Sequence, residues 1–277
     1  MKFFRPRGRR SDAGQGSGPS MTGAIALYKA GRYAEAEAEA RAVAGAGPRD
    51  DTYATLALGL TANATGAQGR HAEALAAYDA ALPAFGRVFG AHHWQILKLR
   101  SERAHHLTAL GRHDECEAEA EAVARIAARG AGPEMQVVAA AARNQLVFAL
   151  NAQERHLEAE ALARETLAAL PGPVPDRMSL VLTLGLARSL NGQARHEEAL
   201  TEAESAGKLR HRLPVEVSRP ETGAVELAVA TALLGLHRSS EARHQATAAH
   251  DACLASFGPE HRRTVEARTL LDRIDGV

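Results

Sequence analysis

The sequence predicts an all-α solenoid of about six antiparallel helix pairs, and two observations lead to that prediction. Of the 277 residues, 45% are hydrophobic but only 4% are aromatic, and the commonest apolar residue is alanine, the strongest helix former. A short string centred on an arginine also recurs six times, and these arginines lie 38, 42, 43, 40 and 43 residues apart. A nearly constant period of this size indicates stacked structural repeats.

The recurring string marks the turn of a helical hairpin. Gly31, Gly69 and Gly111 stand where one helix would end and the backbone needs a left-handed residue; the last three repeats have lost this glycine. A glutamate follows each arginine by three residues, which places negative charge near the positive N-terminal end of the next helix. The six turn arginines are Arg32, Arg70, Arg112, Arg155, Arg195 and Arg238.

Side chains on both sides of each turn predict how the two helices pack. Small residues recur at i, i+4 and i+7 after the turn, as in Cys116, Ala120 and Val123, and form one stripe on a helix face. A larger knob, usually leucine, stands five residues before the arginine. We predict first helices at 22–30, 52–68, 93–110, 134–153, 177–193 and 222–236, and second helices at 34–45, 72–88, 114–129, 157–170, 197–211 and 239–256.

Residues 261–274 predict a lone capping helix after the sixth pair. Val265, Leu270, Leu271 and Ile274 would dock on the last pair, while the polar side chains Arg262, Arg263, Asp272 and Arg273 would face water. Solenoids need such a polar-backed end to stay soluble.

This pattern resembles the tetratricopeptide repeat, and most closely the long repeats, of about 42 residues, of kinesin light chains and their bacterial relatives. The segments 89–93 (Phe-Gly-Ala-His-His) and 257–261 (Phe-Gly-Pro-Glu-His) are similar to the joint that separates such repeats. The resemblance covers residues 21–274, although Trp94 and Arg262 replace a usual proline. It implies a right-handed superhelix whose first helices line a concave, peptide-binding groove.

Carried over position by position, the resemblance implies a set of groove residues. Asparagine amides can donate to and accept from a peptide backbone, Lys98, His105 and Arg188 would favour acidic groups, and Phe148 would supply an apolar contact. The candidates are Asn63, Lys98, Ser101, His105, Asn144, Phe148, Asn151, Arg188 and Asn191.

Residues 1–20 predict a separate, disordered tail that precedes the solenoid of residues 21–277. Five basic side chains are followed by a Gly/Ser-rich stretch, which cannot offset its own ordering entropy. Its charges could touch an anionic membrane surface or a nucleic acid; the alternatives are a solubilising terminus, or sequence upstream of a start at Met21. The balance of 33 basic and 33 acidic residues over the chain argues against specific nucleic-acid binding.

No motif for catalysis, phosphate binding or metal ligation is present, so we expect no enzyme, no metal and no cofactor. His71, His113, His156 and His196 occupy equivalent positions of successive repeats, and we interpret them as rings packed at the turns. The sequence has only two cysteines, and it shows neither a secretory signal nor a long apolar run. These features favour a cytoplasmic location.

The function expected from the sequence is a non-catalytic scaffold or adaptor that binds a peptide segment of another protein in the groove. Two alternatives remain open at this stage. One is a regulatory sensor of a small peptide or metabolite that acts on a partner in trans, and the other is a self-assembling structural module.

Overall fold

The computed structural model describes residues 18–48, 50–170 and 176–276, and the helices of these ranges are joined by short turns and loops. Residues 1–17 of the tail predicted at residues 1–20 therefore lie outside the described residues, as does the predicted Pro-rich break at residues 171–175. The α-helices are α1 (Met21–Lys29), α2 (Tyr33–Ala46), α3 (Thr52–Ala67), α4 (His71–Phe89), α5 (Trp94–Ala109), α6 (His113–Ala127), α7 (Pro133–Ala152), α8 (His156–Ala169), α9 (Arg177–Gly192), α10 (His196–Arg212), α11 (Val215–Ser218), α12 (Ala224–Gly235), α13 (Ser239–Phe257) and α14 (Arg262–Asp275).

The helices form an all-α solenoid of six pairs and a cap, as predicted. The first helices of the pairs, α1, α3, α5, α7, α9 and α12, pack on one another in sequence. Each second helix packs on its own first helix and on the first helix of the next pair, and α14 packs on α12 and α13. The first helices therefore form the inner layer of the solenoid and the second helices the outer layer.

Sequence periodicity located these helices to within two residues at every end, but it missed α11. This helix and the 3₁₀ turn Arg219–Glu221 lie in a stretch that was predicted to be a break because it contains Pro214 and Pro220. The break between α10 and α12 is present, but it contains short helical segments because both prolines stand at the start of one. There the missing N–H has no intrahelical partner to lose.

The predicted stripes of small residues are confirmed as the contact between the layers. Their side chains are almost completely buried. Because these side chains are small, the distance between helix axes can be at the short end of the usual range of about 8–10 Å. The leucine knobs at 107, 150, 190 and 233 are buried as well. The stripe residues with at most 1% exposure are Ala36, Ala40, Ala74, Tyr78, Ala81, Cys116, Ala120, Val123, Ala159, Ala163, Thr166, Ala199, Ala203, Ala206, Ala242, Ala246 and Ala249.

Five of the six turns share one hydrogen bond, whether or not glycine is present. The N–H of the turn arginine donates to the carbonyl five residues earlier, for example Arg195 to Leu190 at 3.0 Å; the turn at Arg70 lacks this bond. The residue before the arginine has a positive φ: 74° at Gly111, but also 57° at Ala194 and 61° at Glu154. A side chain in this region costs roughly 1–2 kcal/mol, so the contacts of these later turns hold a strained residue in place.

A carboxylate links successive repeats at the same place. Glu160, with a side chain 12% exposed, accepts hydrogen bonds from Gln193 Nε2 at 2.8 Å and Arg195 Nη1 at 2.6 Å in the next repeat. These bonds, and the positive charge of Arg195 and Arg164, lower its pKa even though burial opposes the shift. Equivalent links join Glu37 to Gln68 and Arg70, and Glu117 to Gln153 and Arg155.

At the other two junctions between repeats, a leucine replaces the glutamate and another leucine replaces the glutamine. Leu75 and Leu110 occupy these two positions at the second junction, and Leu200 and Leu236 occupy them at the fifth. The pairing is therefore either polar on both sides or apolar on both sides. A mixed pair would leave a partly buried polar group without a partner.

We predict that Glu160→Leu alone lowers the free energy of unfolding by about 2 kcal/mol, because Gln193 and Arg195 lose their acceptor. The double variant Glu160→Leu/Gln193→Leu should recover a substantial part of this loss. Urea unfolding of the wild type, both single variants and the double variant measures the coupling. Additive losses would show that the two positions do not form a pair.

The start of the capping helix departs from prediction. Arg263 does not face water: its Nη1 donates to the carbonyls of Pro220 and Thr222 at 2.8 and 2.9 Å, and its side chain is only 16% exposed. The reason is that the segment containing α11 returns over the beginning of α14. Docking through Leu270, Leu271 and Ile274 is as expected.

Candidate functional site

The inner face carries a pocket between α1, α3 and α5. Its volume is about 160 Å³, close to that of an apolar cavity of about 150 Å³ that holds benzene. Leu56, Leu60 and Leu99 supply apolar walls. The remaining lining residues are Met21, Gly59, Asn63, Phe85, Gln95, Lys98 and Glu102.

The nine candidate groove residues fall into three classes of exposure. Lys98, His105 and Arg188 are exposed on first helices; Asn63, Phe148 and Asn191 are half-buried; Ser101, Asn144 and Asn151 are buried. The structure brings Asn63 and Lys98 together in the pocket. The three exposed side chains and this pocket are the part of the set open to a ligand.

Two of the asparagines form internal bonds that join repeats. Asn151 Nδ2 donates to Ser189 Oγ at 3.0 Å and to the Gly185 carbonyl at 3.2 Å, both on α9, while its Oδ1 lies 3.0 Å from His156 Nδ1. Asn191 repeats the arrangement with His196 at 3.1 Å. Both amides are therefore engaged in packing.

The sequence contains a signal for this arrangement, which the position-by-position comparison overlooked. Asparagine four residues before the turn arginine occurs together with histidine just after it, in repeats four and five alike. The histidine ring then lies against a glycine of the next first helix: a Cβ added to Gly192 would be 2.3 Å from His156 Nε2. This confirms the interpretation of His156 and His196 as rings packed at the turns.

Repeats two and three form a different histidine contact. Glycine replaces the asparagine at position 66, and the ring of His106 fills the space, where an added Cβ would lie 2.3 Å from the ring. His106 is 5% exposed, its Nδ1 is 3.0 Å from His71 Nδ1, and its ring stacks on Tyr78. Burial, reinforced by His71, lowers the pKa of His106 to about 4.

The neighbouring His105 is exposed on α5, and its ring centroid lies 6.4 Å from that of His71. Desolvation by the surrounding protein, followed by the charges of His106, Arg262, His71 and Arg177, lowers the pKa of His105 well below its usual value.

The two ends of the solenoid meet along a contact that we name the seam, formed by residues 29–31 and 69–71 on one side and 219 and 261–262 on the other. Arg219 Nη1 donates to the Lys29 carbonyl at 3.0 Å, across 190 positions of sequence. A Cβ added to Gly69 would lie 3.8 Å from His261 Cδ2. The turns of the first repeats therefore lie against the joints of the last ones, so the superhelix completes about one turn.

Other chemistry has little support in the described ranges. Among the residues that the structure describes, no three His, Cys, Asp or Glu side chains are placed to hold a metal ion. Cys116 and Cys253 are buried, unpaired thiols, and burial raises the pKa of both. Across the same ranges, no helix combines the length and apolar character needed to cross a bilayer.

Comparison with known proteins supports the fold. The chain is similar to a crystal structure of nearly identical TPR-like repeats, described as a kinesin light chain of Podosopora anserina, with a TM-score of 0.53 and 20% identity over 69% of this chain and 92% of the other. A second crystal structure of those repeats gives a TM-score of 0.51 and 20% identity over 69% and 93% of the two chains. The chain has a tetratricopeptide-type repeat fold. No protein-family model and no curated protein sequence matches it.

The structure of the joints between repeats of this tetratricopeptide-type solenoid explains the motif that recurs at residues 89–93 and 257–261. Gly90 and Gly258 end a helix with φ of 89° and 85°. His93 and His261 then cap the next helix, each accepting from a backbone N–H at 3.2 Å. Phenylalanine stacks under each cap, for example Phe257 on His261 with ring centroids 4.3 Å apart.

We predict that the tetratricopeptide-type fold loses stability as the pH falls from about 6.5 to about 4. In this window the unfolded chain binds a proton at His106, whereas the folded state excludes it, because burial disfavours the charged imidazole and the neighbouring His71 adds to this effect. The expected loss is about 3 kcal/mol, because the pKa is lowered from 6.5 to about 4. Urea unfolding at several pH values measures it, and His106→Gln should flatten the profile while lowering stability at neutral pH. An equal slope in wild type and variant would contradict this assignment.

We also predict that Gly31→Lys opens the seam of the solenoid. An added Cβ at this position would lie 2.7 Å from Arg219 Nη1, and the lysine adds like charge. Gly111→Lys is a matched control, since Gly111 has a similar φ of 74° and no described atom lies within 4 Å of its added Cβ. Solution scattering should show a larger radius of gyration for Gly31→Lys only. Identical radii for the two variants would show that the contact does not hold the ends together.

Proposed function

We propose that the chain is a non-catalytic interaction scaffold that binds a peptide segment of another protein on its inner face. The pocket between α1, α3 and α5 supports the proposal most directly. It combines leucine walls with the polar side chains of Asn63, Gln95, Lys98 and Glu102. A site of this composition accepts one apolar side chain and hydrogen-bonds the backbone around it.

The surrounding charge favours a ligand with acidic groups. His105 and Arg188 are exposed on the inner face, whereas the Lys98 ammonium pairs with Glu102. Arg188 lies 3.7 Å from Glu266, a spacing that leaves its other N–H groups available. A bound carboxylate would compete with Glu266 for this guanidinium.

The sequence of the peptide is best found by selection on the purified full chain from a random-peptide display library. We predict that enriched peptides share one large apolar residue, and that Leu60→Gln weakens their binding about tenfold or more, because a buried apolar side chain contributes about 1.5–3 kcal/mol. Fluorescence anisotropy with labelled peptides gives the dissociation constants.

Leu157→Gln is the matched control for this substitution. Leu157 is 73% exposed and lies on α8 of the outer layer, so the same chemical change there should leave peptide affinity unaltered. Circular dichroism establishes that both variants are folded. Equal affinity of wild type and Leu60→Gln, or a library from which nothing is enriched, would overturn the proposed site.

A further inference from the structure

Gly59 opens the pocket on the inner face. This residue lies eleven positions before the turn arginine of repeat two, in the interior of α3. The four later repeats carry a side chain at the equivalent position, and each of these side chains is buried: Ser101, Asn144, Leu184 and Leu227. In repeat two that side chain is missing, and Gly59 lines the pocket instead. The pocket therefore coincides with a departure from the repeat pattern at a single position.

Two buried side chains form the floor of the pocket next to Gly59. A Cβ added to Gly59 would lie 3.0 Å from Phe85 Cζ and 3.2 Å from Leu99 Cδ1, and both distances are shorter than an ordinary carbon–carbon contact. Phe85 and Leu99 are only 3% and 2% exposed, and close-packed side chains have little room to move. Even one methyl group at this position of α3 would therefore press on the floor and reduce the space for a ligand.

The volume and the apolar lining indicate the size of the side chain that fits. The pocket has a volume of about 160 Å³, and an apolar cavity of about 150 Å³ lined by leucine, isoleucine and phenylalanine binds benzene. Here the apolar lining residues are Met21, Leu56, Leu60, Phe85 and Leu99. A thioether such as that of Met21 makes favourable contacts with an aromatic ring. One six-membered ring therefore matches the pocket, whereas an indole is larger and a leucine side chain leaves part of the space empty.

The polar lining residues favour an uncharged group in the pocket. The Lys98 ammonium pairs with the Glu102 carboxylate, and Asn63 Oδ1 accepts a hydrogen bond from the Tyr78 hydroxyl. Gln95 is a neutral amide. A charged side chain would have to compete with the Lys98–Glu102 pair and would lose its hydration against the apolar walls. Acidic groups of a ligand are therefore expected outside this pocket.

We propose that a phenylalanine of the bound peptide fills the pocket, and that Gly59 selects this residue by leaving room for its ring. The inference rests on the proposed function, because it names the side chain that the inner-face site recognises. The ring contacts Phe85, Leu56 and Leu60, and its removal from water supplies the main apolar contribution to binding. Gly59 is a specificity-determining residue because its effect is to set the depth of the space that the ring enters.

The test uses a peptide enriched on the full chain from the display library, synthesised with phenylalanine, leucine or tryptophan at the anchor position. Fluorescence anisotropy should show the phenylalanine peptide binding about fourfold or more tighter than each of the others, the effect of about one buried methylene. Leu56→Ala removes part of the wall, so the tryptophan peptide should become the tightest. Gly59→Ala should weaken the phenylalanine peptide about tenfold and the leucine peptide less.

Two variants serve as matched controls. Leu58→Ala makes the same chemical change as Leu56→Ala on the same helix, but Leu58 lines the groove between α2 and α4. Gly86→Ala adds a methyl group within α4, where the added Cβ would make an ordinary contact of 3.8 Å with Ile96 Cδ1. Both controls should keep the wild-type order of the three peptides. Circular dichroism identifies any variant that is not folded, and if Gly59→Ala is not, the order measured for Leu56→Ala decides the question.

The outcomes separate this inference from the proposed function. Enriched peptides that depend on Leu60 but carry leucine or tryptophan as their anchor would overturn the choice of phenylalanine and leave the peptide site in place. An unchanged order of the three peptides in folded Leu56→Ala would show that this pocket does not select the anchor. A library from which nothing is enriched would overturn both the inference and the proposed function.

Discussion

The contact between each turn and the next repeat is the constraint on which the rest of the structure depends. A solenoid has no single core, so each unit is stable only if its open side is covered by its neighbour. Here the small-residue stripes bring the layers close together, and the links from Glu37, Glu117 and Glu160 set each hairpin against the next. Because this junction recurs, a small rotation at each step accumulates into curvature.

The curvature in turn creates the two features with functional potential. It turns the first helices inward; these helices carry the exposed side chains of Lys98, His105 and Arg188. It also brings the last joints back onto the first turns at the seam, where Arg219 reaches Lys29. Neither feature belongs to a single repeat; both exist only because about one full superhelical turn is present.

Histidine shows how one residue type acquires different roles at equivalent positions. At residues 156 and 196 the ring is paired with asparagine and packed on glycine of the next repeat. At residue 71 the asparagine is absent, and the ring instead contacts His106. The departure from the repeat pattern therefore coincides with the place where the seam closes.

The sequence by itself determined the fold class, the six pairs, the helix ends and the buried stripes, because all of these follow from local periodicity and turn chemistry. Part of the candidate groove could not be judged from the sequence. Asn151 has the residue type of a ligand-binding amide, but its neighbours on α9 decide that it bonds within the protein. The same holds for Arg263, which sequence reasoning placed in water and the returning segment covers. Only the tertiary structure could bring Gly69 to His261 and Arg219 to Lys29, because those contacts join residues about 190 positions apart and depend on the summed rotation of every junction between them.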